Sequence, residues 1–347
     1  MYDWLDMKTN LKDELEKLRK DTNFSGLWIT ILFYTLLCVA FGLFAWLSAI
    51  HWIWLIPCMG WIQYYIVISG HEAVHKTLCP QDGLNEFLGV VGQALVGVNF
   101  TAYRLQHMDH HRCPSHHTDP DAHIYHGVLN KPAGLYRFMW LTVGTFVEIL
   151  VKIKQKGSGG YGTKRDIKPE IQRKSRRDSL LVVGSQLALM GLSYFVIGHS
   201  PIVQDSVGYV FSAGILSTLV GVVLSYAVVW IIPLFAVTVF LNRCRIVIEH
   251  GLALAIVQEK TDFAGMRIPT VEIVPNTLEK WIFAPFSFNY HCSHHCYMGV
   301  PHYNLPKLHA LLQETNSPGF LCVQGGYLQA LWRVVFVEYT ENTNISE

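Results

Sequence analysis

From Thr22 to His71 the chain carries not one Asp, Glu, Lys or Arg, and from Ser179 to Asn242 its only charge is Asp205. A helix needs about 20 apolar residues to cross the hydrocarbon core of a bilayer, so each stretch is long enough for two crossings. The whole composition agrees, with 51% hydrophobic and 15% charged residues and a mean hydropathy of +0.26, well to the apolar side of soluble domains. The sequence therefore predicts an all-α integral membrane protein with four transmembrane helices in two hairpins, 27–50 with 52–69 and 180–198 with 209–241. The last run exceeds one span and is expected to tilt or to continue as helix past the bilayer.

Short loops rich in Lys and Arg stay on the cytoplasmic side. The segment Lys152 to Arg177 holds ten of them, whereas the His51 junction and the loop His199 to Ser206 hold none. Residues 1–26 are mixed in charge, with Leu5, Leu11, Leu15 and Leu18 at helical spacing. They read as an N-terminal amphipathic cytoplasmic helix and lack the basic start and short apolar centre of a signal peptide. Residues 27–311 form the membrane domain with its cytoplasmic cap, and 312–347 a C-terminal cytoplasmic tail. Two further apolar segments, 87–103 and 136–151, are expected to be re-entrant or interfacial helices; a full crossing by 87–103 would put the histidines on either side of it on opposite faces of the membrane. GSGGYG, 157–162, marks a turn before the basic segment,. A net charge of +1 says nothing useful about nucleic acid, and no nucleic-acid partner is expected.

Of eight cysteines, Cys38 and Cys58 fall in spans and the other six on the cytoplasmic side, where thiols stay reduced,. The sequons at Asn23, Asn99 and Asn344 fall on that side too, and read as chance matches.

Fifteen of the seventeen histidines gather on the cytoplasmic side, all but His51 and His199. They form three boxes: His71 and His75 in HEAVH, His107, His110 and His111 in HMDHH, and His291, His294 and His295 in HCSHH, with His250 just beyond the fourth span. At about 100° per residue, positions i, i+3 and i+4 share a helix face, so each box is a claw of two or three imidazoles. Asp109 points roughly opposite the second claw, and Cys292 and Cys296 lie off the third, which argues against a mixed Cys/His zinc site. Imidazole ligands without carboxylates suit iron, zinc, copper or nickel. One zinc uses about four ligands, and nine histidines fit two metals.

HEAVH, HMDHHRCPSHHTDPD and NYHCSHH with the following VPHYNLPKLH resemble the motifs of the integral-membrane fatty acid desaturase and hydroxylase superfamily, over roughly His51 to Leu311. The resemblance implies two iron ions, ligated by His71, His75, His107, His110, His111, His291, His294 and His295, with His250 as an additional ligand. It also implies O₂ as co-substrate and hydrogen abstraction from an unactivated methylene, the metal making the oxidant and the protein placing the carbon. Asp119 and Asp121 are candidates for orienting ligand N–H groups or for capping a turn. His302, His116, His117 and His123 receive no role, and Trp61, Tyr64, Tyr65 and Trp230 are candidates for a substrate tunnel or for plain packing.

Desaturation of a fatty acyl chain is the leading expectation, with hydroxylation of a lipid, carotenoid or small metabolite the alternative. His291 stands where lipid-linked front-end members often carry Gln, which argues against that subgroup. No cytochrome b5-like haem segment is fused at either end, so electrons are expected from a separate ferredoxin or cytochrome b5 type donor with its reductase. The expected setting is a multi-pass membrane protein with its active site on the cytoplasmic face, in a bacterial inner membrane before the ER. A histidine-rich metal transporter is the competing class, disfavoured because the ligands cluster at helix ends rather than at the bilayer midplane.

Overall fold

The computed structural model describes residues 9–114, 119–156, 168–199, 214–259, 270–315, 317 and 320–338. Among these, four helices are long and apolar enough to cross a membrane: Ser25–Trp46, Ala49–His75, Pro169–Gly198 and Ile215–Ile256. We label the helices α1 (Thr9–Lys20), α2 (Ser25–Trp46), α3 (Trp52–His75), α4 (Asp82–Leu95), α5 (Phe100–Arg112), α6 (Ala122–Leu129), α7 (Leu135–Lys156), α8 (Pro169–Gly198) and α9 (Ile215–Ile256). After them come β1 (Glu272–Ile273), α10 (Thr277–Phe283), α11 (His291–Cys296), α12 (Leu305–Glu314), β2 (Cys322–Val323) and α13 (Gly326–Phe336). The chain divides into two compact units.

One unit comprises Asn23–Arg104 and Ile167–Leu241. Its core is a stripe of Phe33, Leu37, Phe41 and Phe44 on α2 packed with Met59, Ile62 and Ile66 on α3, Leu189 and Val196 on α8, and Val229 and Trp230 on α9. The stripe repeats at three and four residues, and the opposite faces stay apolar while exposed, as at Trp28, Leu32, Leu187 and Leu219. An apolar outside around an apolar inside is what a lipid-facing bundle requires. Where lipid replaces water, helix association rests on close approach and on polar links. A Cβ on Gly60 of α3 would sit 2.5 Å from the Pro233 carbonyl oxygen of α9. There Thr238 Oγ1 donates to Gly60 O at 2.6 Å and Gln63 Nε2 to Trp230 O at 3.2 Å. Tyr64 and Trp230 are fully buried and Tyr65 stacks on Phe33 at 3.7 Å, so these aromatics pack this core.

Several helices differ in extent from the sequence expectation. α8 begins at Pro169, eleven residues before the expected span, and α9 continues to Ile256, past the expected end at 241. α3 continues past residue 69 to His75, so HEAVH forms its last turns, closed by Lys76 in the left-handed region at φ 63°. The segment 87–103 is not one helix. It holds the end of α4 and the start of α5, broken at Gly97, which takes φ 79°, and Asn99, whose Oδ1 accepts from Ala102 N at 2.9 Å. Fourteen residues of α4 are too few to cross a bilayer,. Thr101, in the first turn of α5, donates its N–H and hydroxyl to the buried Asp178 of α8 at 2.9 and 2.6 Å.

The other unit comprises Met1–Thr22, Leu105–Asp166 and Asn242–Glu347. Leu15 of α1 packs against Leu305, Leu308 and Leu312 of α12, so the apolar stripe of the N-terminal helix is covered in part by protein. α7 occupies the second segment expected to be interfacial; it buries Leu141 and exposes Leu135, Met139, Val143 and Phe146 along one face. The sequence predicts no element after Leu311, yet β2 pairs in parallel with β1, Glu272 opposite Cys322, and α13 comes after it. Gly157 to Gly162, the 199–206 loop beyond His199, His116, His117 and Asn344 lie outside the described residues.

Candidate metal centre

α5 places its three histidines by helical phase alone, since residues 107, 110 and 111 share a face,. His107 Nε2 lies 3.0 Å from His111 Nε2, which lies 3.2 Å from Nε2 of His294 on α11. The other third-box histidines meet a different partner set. His291 Nε2 is 3.1 Å from both His250 Nε2 and His295 Nε2, and with His110 these four form one group whose ligand atoms lie within 4.8 Å of one another. Thus the HxxHH motifs of α5 and α11 each divide between two groups. In the other unit, His71 and His75 stand one turn apart on α3 with ring centroids 4.9 Å apart, and His71 Nδ1 lies 3.3 Å from Glu72 Oε1.

Those nitrogen separations test whether a cation fits. Ligands about 2.1 Å from a metal stand about 3.0–3.4 Å apart along the edges of an octahedral or tetrahedral shell. Two lone pairs aimed at each other at that range repel unless a cation or proton lies between them. Histidine nitrogens converging at 3.0–3.2 Å suit a first-row divalent metal,. Burial, followed by the neighbouring His111, His291, His110 and His250, holds the His295 imidazole well below its ordinary pKa, hence neutral and able to ligate. Cys292 is pushed well above the thiol range by its contact with Cys296 and by burial, and neither cysteine joins a histidine group among the described residues.

The carboxylates lie behind the rings. Asp119 Oδ1 accepts from His110 Nδ1 at 2.8 Å and from Asp121 N at 2.8 Å, while its Oδ2 accepts from the buried Tyr125 hydroxyl at 2.8 Å. Asp119 thereby orients His110 and closes the turn before α6. Burial resists the Asp119 charge, but the His110 bond and its positive field outweigh it and bring the carboxyl down to about 2. Burial likewise opposes protonation of His110, and the Asp119 bond with the charges of Asp121 and Asp119 overcomes it, raising the imidazole. Asp121 stands further back, its Oδ2 3.9 Å from His110 Nδ1 and its Oδ1 accepting from Gln106 at 2.9 Å. Asp109 pairs with Arg112 at 2.9 Å, away from the histidine groups.

Several participants have no motif to announce them. His250 rides on a π turn, Val247–Gly251, beside the fully buried Glu249. Glu249 Oε2 takes a 2.5 Å bond from Arg245 and lies 3.6 Å from His291 Nε2, and its Oε1 accepts from Tyr327 at 3.1 Å. Single π turns recur at functional sites because one inserted residue re-aims a side chain. Tyr125 lies nearly parallel to the His250 ring at 5.6 Å, and Phe288 stacks on His291 at 4.7 Å under the Arg245 guanidinium. Phe286 and Ser287, just ahead, hold φ of 54° and 55°, a strained turn that sets Phe288 against the site. The only local sign of Glu249 is its i,i+4 spacing from Arg245.

His302 is buried against Phe286 at 5.1 Å, and His123 Nδ1 donates to Pro120 O at 2.9 Å; neither belongs to a histidine group. His309 is bonded to Glu272, which also accepts from Ser293 in the third box.

A sequence profile described as fatty acid desaturase matches residues 59–321. The chain is also similar to a ceramide hydroxylase of Caulobacter vibrioides (strain NA1000 / CB15N), 27% identical over 114 residues. That match spans 33% of this chain and 32% of the hydroxylase, about a third of each.

Proposed function

Because the chain belongs to the fatty acid desaturase family, we propose that it is an O₂-dependent membrane oxidoreductase with two iron ions, removing hydrogen from an unactivated carbon of an acyl-type substrate. The observation that carries this reading is the division of seven buried or half-buried histidines into two Nε2 clusters. His107, His111 and His294 would hold one iron and His110, His250, His291 and His295 the other, and the resemblance of HEAVH to the family's motif implies His71 and His75 as further ligands.

Bound iron supplies oxygen activation and hydrogen abstraction. The residues supply the rest. Asp119 keeps the proton of His110 on Nδ1 so that Nε2 stays open, as carboxylates behind metal-binding imidazoles do. Phe288 and Tyr125 are buried aromatics that lie over the His291 and His250 rings and keep water from the faces they cover. Electrons come from a separate ferredoxin or cytochrome b5 type donor. The clusters face the cytoplasm, on the side of the basic Lys152 to Arg177 segment,.

Desaturation leads because of the family, and hydroxylation is the second reading, favoured by the similarity to a ceramide hydroxylase. Both begin with the same abstraction and part at whether a second hydrogen leaves or oxygen returns. Mass spectrometry of lipids from expressing cells, set against a His294→Ala control, separates them. Loss of two hydrogens means desaturation and gain of one oxygen means hydroxylation. Stoichiometric zinc with no O₂ consumption by the purified protein would sink both in favour of the transporter.

A further inference from the structure

Four residues, Thr270 to Ile273, touch both elements that bring His250 and the third box to the four-histidine group. On one side, Val271 N and Thr270 Oγ1 donate to the Glu249 carbonyl at 2.9 and 2.8 Å, taking up a carbonyl within the π turn that carries His250. On the other, Glu272 Oε1 accepts the Ser293 N–H at 2.8 Å and the Ser293 hydroxyl. Ser293 lies in the first turn of α11, where amides have no intrahelical acceptor, and no side chain caps that helix at Tyr290,. β2 fixes the strand from behind through Glu272 N to Leu321 O at 2.8 Å and Val274 N to Val323 O at 3.0 Å. Glu272 is 1% exposed, and its remaining oxygen, Oε2, is bonded to His309 Nδ1 on α12.

We propose that Glu272 is a positioning residue for the His110, His250, His291 and His295 group, holding α11 in register with the His250 turn, and that His309 makes this hold depend on pH. The proposal rests on the two-metal reading of the histidine groups. Its geometry is one-sided: the carboxylate touches Ser293, between the ligands, and reaches outward to an imidazole that is partly exposed. A protonated His309 pins the carboxylate in place by a bond between two charged groups, and a neutral one holds it by a weaker bond in which the carboxylate alone is charged.

The surroundings of His309 leave Glu272 as its charged partner. Tyr290 and Phe320 cover its ring at 5.2 and 5.4 Å, and Lys280 lies 5.9 Å over the Tyr290 ring. On its own helix, Lys307 is turned to Asp21 at 3.8 Å and to Asn304. The thiols of Cys292 and Cys322 lie near Glu272 and, being raised, stay uncharged. The Glu272 bond and charge raise His309 above the ordinary value of 6.5 against the effect of burial. The hold is therefore full below about pH 6.5 and weakens as pH rises through the raised value.

The test uses the full chain in detergent, stripped of metal, with two readings: amide exchange over 291–296 and anaerobic Fe²⁺ titration. In Glu272→Gln the 291–296 amides should exchange at least about tenfold faster, and one of two Fe²⁺ sites should weaken by about 10–100-fold with the other unchanged. Ser293→Ala, which keeps the amide contact, should give a smaller change of the same kind and serves if Glu272→Gln does not fold. His309→Asn should exchange faster than wild type near pH 6 and match it above pH 9. Wild-type exchange and wild-type Fe²⁺ binding in Glu272→Gln overturn the positioning role. A wild-type to His309→Asn ratio that is the same at both pH values overturns the pH dependence. Wild-type protein that binds no Fe²⁺ overturns the two-metal reading, and the exchange measurement in metal-free protein then decides Glu272 by itself.

Discussion

Asp119 and His110 share a 2.8 Å bond on the side of the ring away from the other imidazoles, so the tautomer of one buried histidine is set by one carboxylate. Converting Asp119 to Asn keeps the size and removes the charge. The amide accepts more weakly and no longer raises the basicity of the ring. Fe²⁺ affinity of the four-histidine group is expected to fall by about 10–100-fold. Titration of metal-free protein measures this, and an unchanged affinity would return Asp119 to a turn-closing role alone.

The two-cluster division makes the third box separable. His294→Ala removes a ligand from the group with His107 and His111, whereas His295→Ala removes one from the group with His110 and His250. Each variant is expected to bind about one iron where the wild type binds about two, and to lose product formation altogether. Metal analysis of the two proteins side by side checks it. Retention of full oxidation by either one contradicts the ligand assignment.

Gly60 is a place where α3 and α9 leave no room for a side chain. Its ideal Cβ meets backbone as well as Val237, so a shift of helix axes is the only relief for Gly60→Ala. A cost of about 1–3 kcal/mol is expected, the usual range for overpacking. Thermal unfolding in detergent reads it, with Gly191→Ala, whose Cβ meets nothing within 4 Å, as the matched control.

Arg137 anchors the end of α13 to α7. Its guanidinium is buried and donates to Lys131 O at 2.8 Å, Val334 O at 2.8 Å and Val337 O at 3.2 Å, and it pairs with Glu338 at 3.1 Å. Arg137→Met keeps the stem and strands those carbonyls, for a loss of about 2–4 kcal/mol. Limited proteolysis should then cut near α13 at least tenfold faster than in wild type. Equal rates would show that α13 is held by its apolar face.

The spans and the boxes are legible in the sequence because both rest on local periodicity: about 20 apolar residues in a row, and imidazoles three and four apart. Their partners are not. Asp119 stands out only for its place in the DPD segment, and Glu249 and Glu272 look like ordinary polar residues outside the spans. Each is buried by partners far along the chain, Tyr327 for Glu249 and Ser293 and His309 for Glu272. A two-residue strand such as β1 has no alternation to read, and its pairing depends on Cys322 and Val323, some fifty positions on. Gly97, by contrast, leaves a local mark that apolar content masks: a glycine two residues before an asparagine is a helix break, and 87–103 is two helices for that reason.

A π turn is an α-helix with one residue too many, and the Val247–Gly251 turn stores that surplus next to a ligand. Deleting Val247 or Ile248 would let the helix close into regular α geometry, at a gain in backbone hydrogen bonding, with the segments on either side nearly in place. The side chains within the turn would lose the aim that the surplus residue gives them. Arg245 and Glu249 would then stand three apart in place of four, and His250 would no longer be aimed by the bulge. The helix thus behaves as a gear meshed one tooth off, and a single-codon deletion here would be expected to yield a folded membrane protein that has lost its grip on one metal.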